Sequence, residues 1–186
     1  MKILYMDCET TGLNSTLNEI VQFSAIVEIN GEVKEELNLF MQPTRWDQIS
    51  QEALAVTGNT IEKLKTFMLP SEGFRKIKTL FDKYIDKYDK SDKFFPAGHN
   101  VMFDIEYLQA FWKQHGDKYG TGSYQNWNCL DSRILANFMR MSGKLSELEN
   151  HKLETLCKHF KIPLDAHDSM NDIRATRILI QKLLKL

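Results

Sequence analysis

Residues 19–41 read EIVQFSAIVEINGEVKEELNLFM, two strand-like runs, 19–29 and 32–41, split by Asn30-Gly31. An Asn-Gly pair between such runs is the strongest short hairpin signal, because both central residues of the matching turn need positive φ. Upstream, residues 2–7 form a short buried strand through Ile3, Leu4, Tyr5 and Met6, ending in the carboxylate of Asp7. Thr11-Gly12-Leu13-Asn14 breaks that strand. Downstream, Pro43 ends the sheet segment, and residues 50–66 read as short helical pieces about a turn at Gly58.

An amphipathic helix is expected over 71–88, where Phe74, Ile77, Phe81, Tyr84, Ile85 and Tyr88 follow helical spacing. Lys83, Lys87, Lys90 and Lys93 crowd its end and read as a solvated face that complements the helix dipole. Residues 94–98 make the next strand, 104–115 a helix, 127–130 the last strand and 132–141 a helix. Helices over 152–160 and 169–186 close the chain around Ile162-Pro163. Three strands, helices, then alternating strand and helix predict one α/β domain over 1–186. Its mixed five-stranded sheet is flanked by helices and begins with an antiparallel meander.

The composition, 42% hydrophobic and 26% charged, is that of an ordinary globular chain. No apolar run approaches the roughly 20 residues of a membrane helix, so no membrane partner is expected. Cys8, Cys129 and Cys157 form no CxxC pair, which points to reduced thiols and a cytoplasmic setting. The formal net charge of −1, from 24 Lys plus Arg against 25 Asp plus Glu, argues against a nucleic-acid coat protein or repressor. It counts less against a nuclease that meets phosphate through bound cations. Leu186 closes a helix, so a polymerase contact is expected through a surface and not through a tail.

The acidic residues carry the chemistry. Asp7 and Glu9 stand two apart at a strand end and so project from one face; a plain polar turn is the alternative. In the last helix, at about 100° per residue, Asp172 falls in line with Thr176, Leu179 and Leu183, inside the apolar arc. A carboxylate aimed at a core costs several kcal/mol unless paired or bound to metal. Ser169 to Asp172 also fits a capping box, which leaves a helix-start role open. Asp104 repeats the pattern, in line with Leu108, Phe111 and His115, with an N-cap role as its alternative.

Four such carboxylates suit hard cations, Mg²⁺ or Mn²⁺, and two ions would suit phosphodiester hydrolysis. His167, five residues before Asp172, is placed to accept a proton near neutral pH. His99, His115, His151 and His159 read as structural, with His99 a candidate for the site wall. A zinc site from Cys157, His159 and His151 lacks a second matching ligand pair. Trp112, Tyr119, Tyr124 and Trp127 read as core or loop packing, with base stacking as the alternative.

Asp7-Cys-Glu9-Thr-Thr-Gly12-Leu13 resembles the first motif of the DEDDh 3′–5′ exonucleases, His99-Asn100-Val-Met-Phe103-Asp104 the second, and His167-Asp-Ser-Met-Asn-Asp172 the third. Ile49-Ser-Gln-Glu-Ala and Val56-Thr57-Gly58 are similar to the family's linking segment, with Thr57 where a histidine is more usual. Leu130-Asp131-Ser132 resembles its strand-end Leu-Asp-Thr. The motif wording is similar to that of the proofreading exonuclease subunits (epsilon) of bacterial replicative polymerases; oligoribonucleases, transfer-RNA trimming nucleases and phage exonucleases share it.

The resemblance implies a ribonuclease H-like fold with Asp7, Glu9, Asp104 and Asp172 on two metals and His167 as general base. It implies that the Thr10 backbone meets the terminal 3′ hydroxyl and that Leu13 wedges against the last base, with Asn100 and Phe103 lining the terminal-nucleotide pocket. The expected reaction is stepwise release of nucleoside 5′-monophosphates from the 3′ end of a single strand, DNA before RNA, with a polymerase or replication protein as partner. An RNA exonuclease and a non-catalytic subunit of a replication complex are the competing readings.

Overall fold

Three antiparallel strands lead the chain, β1 (Lys2–Thr10), β2 (Ile20–Ile29) and β3 (Glu32–Phe40). Asn30 and Gly31 take φ of 54° and 87°, the conformation the turn between β2 and β3 requires. The computed structural model describes residues 1–165 and 168–186. Two short strands, β4 (Phe95–Gly98) and β5 (Leu130–Asp131), add in parallel beside β1, giving a five-stranded sheet in the order β3-β2-β1-β4-β5. The expected mixed sheet with its leading meander is therefore present.

Seven helices cover the sheet among the described residues. They are α1 (Gln51–Thr57), α2 (Ile61–Leu64), α3 (Pro70–Tyr84), α4 (Met102–Gln114), α5 (Ser132–Met141), α6 (Leu153–His159) and α7 (Ser169–Leu183). Strand alternation sorts the core. Leu4, Met6 and Cys8 of β1 join Ile77, Phe81, Leu108 and Trp112 of α3 and α4. Ile3 and Tyr5 face the other way, onto Met170, Ile173 and Ile180 of α7. A further apolar cluster, including Ala136, Leu156 and Leu179, ties α5 and α6 to α7.

Among the elements shorter than expected, two share one physical cause. The helix expected to reach residue 88 stops at Tyr84, and Tyr88 is exposed. Asp86 accepts from the Tyr88 N–H at 3.0 Å, a local turn that competes with the helical ladder. The strand expected from Trp127 begins only at Leu130; Asn126 accepts from the Asn128 N–H at 3.0 Å, and Trp127 is exposed. Trp112 and Tyr124 are core residues packed about Phe81, at ring separations of 5.2 and 5.5 Å. His115 stacks on Phe74, a structural place as expected, and Lys83, exposed near the end of α3, pairs with Glu35 at 2.6 Å.

Candidate active site

β1 outlasts its parallel neighbour. β4 pairs only with Ile3, Leu4 and Tyr5, so the β1 edge beyond them has no strand beside it. The N-terminal turn of α4 fills that place, and Asp104 accepts from the Cys8 N–H at 2.9 Å. Asp104 is the third residue of α4 and only 3% exposed; it caps β1 and not its own helix, whose N-cap is Val101. The crossing is close because position 98 is glycine, where a Cβ would stand 2.9 Å from the Met6 carbonyl oxygen.

On the opposite face of β1, α7 brings Asp172 to Asp7 and Glu9. Ligand oxygens of these three lie within 4.8 Å of one another. The capping role considered for residues 169–172 falls instead to Asp168, which accepts from the Asn171 N–H at 3.1 Å. Ser169 turns inward, its hydroxyl 2.6 Å from that of Ser24 on β2. Arg177 pairs with the buried Glu28 at 2.6 Å, and Arg174 pairs with Glu36, so α7 is tied to β2 and β3 along its length.

These acids repel. Burial holds the Asp7 carboxyl well above the usual carboxylate range, and Asp104, Asp172, Glu9 and Asp168 push it the same way. Glu9 rises to about 7, from burial first and then from Asp172 and Asp168. Burial raises Asp104 as well, opposed by its hydrogen bond from Cys8. Oxygen donors gathered from distant parts of the chain and forced toward protonation fit a hard divalent cation. Among the described residues no other group of three His, Cys, Asp or Glu side chains does so, and Cys157, His151 and His159 form no such group.

Of two openings, the first is lined by Glu9 and the second begins at His99 and Asn100, on the loop that leads into α4. An apolar cavity of about 420 Å³ is lined by Glu9, Thr10, Leu13, Val56, Thr57 and Phe103, among others. Leu13, 89% exposed, stands at this cavity. The Asn18 side-chain amide packs against Gly12, its Oδ1 2.5 Å from where a Cβ would stand. Tyr107 and Thr10 hydroxyls both donate to the Gly12 carbonyl at 2.6 Å. Asn100 does not line this cavity. It adopts φ 64° and, with His99, lines a separate polar groove on α5. His99 falls to about 4, chiefly through burial, and its Nδ1 lies 2.8 Å from the Ser132 hydroxyl.

The structure thus brings Asp7, Glu9 and Asp172 together with Asp104 beside them, and puts Thr10, Leu13 and Phe103 at one cavity. His167 lies outside the described residues. Asp168 and Asp131 enter as residues whose parts sequence reading did not assign. Asp131 accepts from the N–H groups of Asn100 and Val101, each at 3.1 Å, and from Arg133 at 2.8 Å, clasping the β4–α4 loop to the start of α5. An aspartate before Ser-Met-Asn was the available cue for the Asp168 cap.

A mixed sheet flanked by helices, with acids gathered where β1 outruns β4, is the ribonuclease H-like exonuclease architecture. The chain belongs to the exonuclease family RNase_T, which matches residues 4–179. It is 27% identical over 180 residues to the PolC-type DNA polymerase III of Bacillus cereus, covering 96% of this chain and 11% of that one. Escherichia coli exonuclease I in complex with a dT13 oligonucleotide superposes with a TM-score of 0.78 at 23% identity, covering 98% of this chain and 40% of that chain. A zinc-ion-bound form of the same exonuclease with single-stranded DNA gives 0.75 at 24%, over 99% and 40%. The chain spans about a tenth of the polymerase and two fifths of exonuclease I. No helix among the described residues is long and apolar enough to cross a membrane.

Proposed function

We propose that residues 1–186 form one exonuclease domain that hydrolyses single-stranded DNA from its 3′ end and releases nucleoside 5′-monophosphates. The observation that carries this reading is the convergence of Asp7, Glu9 and Asp172 within 4.8 Å beside a cavity of single-nucleotide scale. Asp7, Glu9, Asp104 and Asp172 would hold two divalent cations, Mg²⁺ or Mn²⁺, which would supply Lewis-acid polarisation of the phosphoryl group. The terminal base enters the apolar cavity between Leu13 and Phe103, and the Thr10 backbone meets the terminal hydroxyl. Asn100 holds the strand from the neighbouring groove. His167 takes the proton of the attacking water, the new oxygen–phosphorus bond forms, and the bond to the penultimate 3′ oxygen breaks. A DNA polymerase is the partner suggested by the PolC relatives.

The test is degradation of 5′-labelled single-stranded DNA and matched RNA with Mg²⁺, with Mn²⁺ and with EDTA. A ladder shortening from the 3′ end, faster on DNA and absent with EDTA, is expected. Asp7→Ala is expected to lower the rate by about three orders of magnitude or more, the scale of losing several kcal/mol of charge stabilisation. Equal rates for Asp7→Ala and wild type would overturn the assignment of the acids.

A further inference from the structure

The cavity lined by Glu9, at about 420 Å³, is of the scale of one nucleotide, so the rest of a strand needs another route. The second opening is a groove of about 710 Å³ that begins at His99 and Asn100, four residues before Asp104, and runs along α5 to the start of α6. Arg133, Arg140 and Lys152 line it, with Glu149 as its one acid. All three cations are exposed, and among the described residues none is in an ion pair. Three cations against a single acid give this groove a local positive charge of the sign that phosphates seek.

Helix geometry divides α5 into three stripes. Ser132, Ala136 and Met139 are buried. Arg133, Asn137 and Arg140 follow at the same spacing and face the groove. Next to them lie Ile134, Phe138 and Met141, exposed by 61%, 63% and 87%. At 3.6 residues per turn the second and third stripes are adjacent, and each runs about 10 Å. A row of cations bordered by a row of exposed apolar side chains matches a single strand, whose phosphates and base faces lie on opposite sides of its sugars. A protein helix would meet the apolar row but leave the arginines unmatched.

We propose that the α5 face, Arg133 and Arg140 with Lys152 on one side and Ile134 and Phe138 on the other, is the track that carries the body of a single nucleic-acid strand away from the active site. The proposal rests on the exonuclease reading of the acids, because that reading supplies a strand that must leave. Asp131 makes the link, since it holds Asn100 at the mouth of the groove and caps α5. The track gives the domain a preference for strands several nucleotides long.

The experiment measures binding of fluorescein-labelled dT4 and dT16 by anisotropy in EDTA, across a range of salt, so that no strand is cut. Wild type is expected to bind dT16 more tightly than dT4. Arg133→Ala/Arg140→Ala is expected to weaken dT16 about tenfold and to flatten the plot of log K against log salt by about 1.4, the share of two phosphate contacts on a single strand. Arg133→Lys/Arg140→Lys keeps the charges and is expected to restore both values, which separates charge from misfolding. Phe138→Ala is expected to weaken dT16 with the salt slope unchanged.

A double alanine variant that melts like wild type and binds dT16 with wild-type affinity and slope would overturn the track. That result would leave the apolar row of α5 as a protein-docking face. Hydrolysis of the p-nitrophenyl ester of thymidine 5′-monophosphate by wild type with Mn²⁺ tests the site itself, since that substrate has no strand body. Failure there would remove the catalytic reading without altering the binding result.

Discussion

Glu9 stands beside Asp172 at the end of β1, half-buried, and its carboxyl is pushed up to about 7 from an ordinary 4.5. Between those two values the folded chain holds a proton that the unfolded chain has released, so its contribution to stability is full below about 4.5 and is lost as pH rises through about 7. Asp7 and Asp104 move in the same direction. In EDTA the melting temperature is therefore expected to fall as pH rises from about 5.5 to 8, and Glu9→Gln is expected to flatten that fall. Calorimetry across that range checks it, and an unchanged slope in Glu9→Gln would assign the proton elsewhere. The two carboxylates of β1 were legible because a period of two is fixed by the strand itself. Asp104 and Asp172 were legible as acids on apolar arcs, yet each had a local capping role open to it. Only tertiary structure decides between the two, since the group that Asp104 satisfies lies on another element, at Cys8. The place of Asn100 at the α5 groove was out of reach for the same reason, since it depends on a positive φ and on a backbone hydrogen bond to Asp131.

At the scale of elements, the site depends on how closely α7 lies on the sheet. Ser24 and Ser169 touch hydroxyl to hydroxyl at 2.6 Å with neither exposed, three residues before Asp172. Two small residues facing each other set a short distance between helix and strand. Ser169→Val adds volume there and removes a buried hydrogen bond, and overpacking of this kind costs about 1–3 kcal/mol. Its expected signature is a lower melting temperature together with a loss of kcat, because α7 carries Asp172 outward as it shifts. Ser169→Ala keeps the spacing and is expected to retain most of kcat at a stability cost of about 1 kcal/mol. Equal kcat losses in the two variants would show that the hydroxyl matters and the spacing does not. The strands of the meander and the long helices were readable because apolar periodicity extended over many residues. Their ends at Tyr84 and Leu130 were not, because Asp86 and Asn126 redirect nearby N–H groups that the ladder would otherwise use.

Across the whole molecule, the four acids come from positions 7, 9, 104 and 172, on β1, α4 and α7. An unfolded chain keeps these three segments far apart, so a divalent cation that binds all four acids binds the folded state alone. Such a ligand stabilises by RT ln(1 + [L]/Kd), about 2.7 kcal/mol at a hundredfold excess over Kd. For a chain of this size that is a rise of roughly 5–11 °C in melting temperature. Mn²⁺ or Mg²⁺ is expected to produce it, with the larger rise at pH 8, where the acids are ionised, than at pH 5.5, where protons compete. Asp7→Ala removes one ligand and much of the repulsion, so it is expected to melt higher than wild type in EDTA and to gain little from either ion. Sodium chloride at matched ionic strength distinguishes binding from screening. An equal rise with sodium would mean that the acids answer only to general charge screening, whereas a rise confined to divalent ions ties the stability of the fold to the same four carboxylates that the proposed reaction would use.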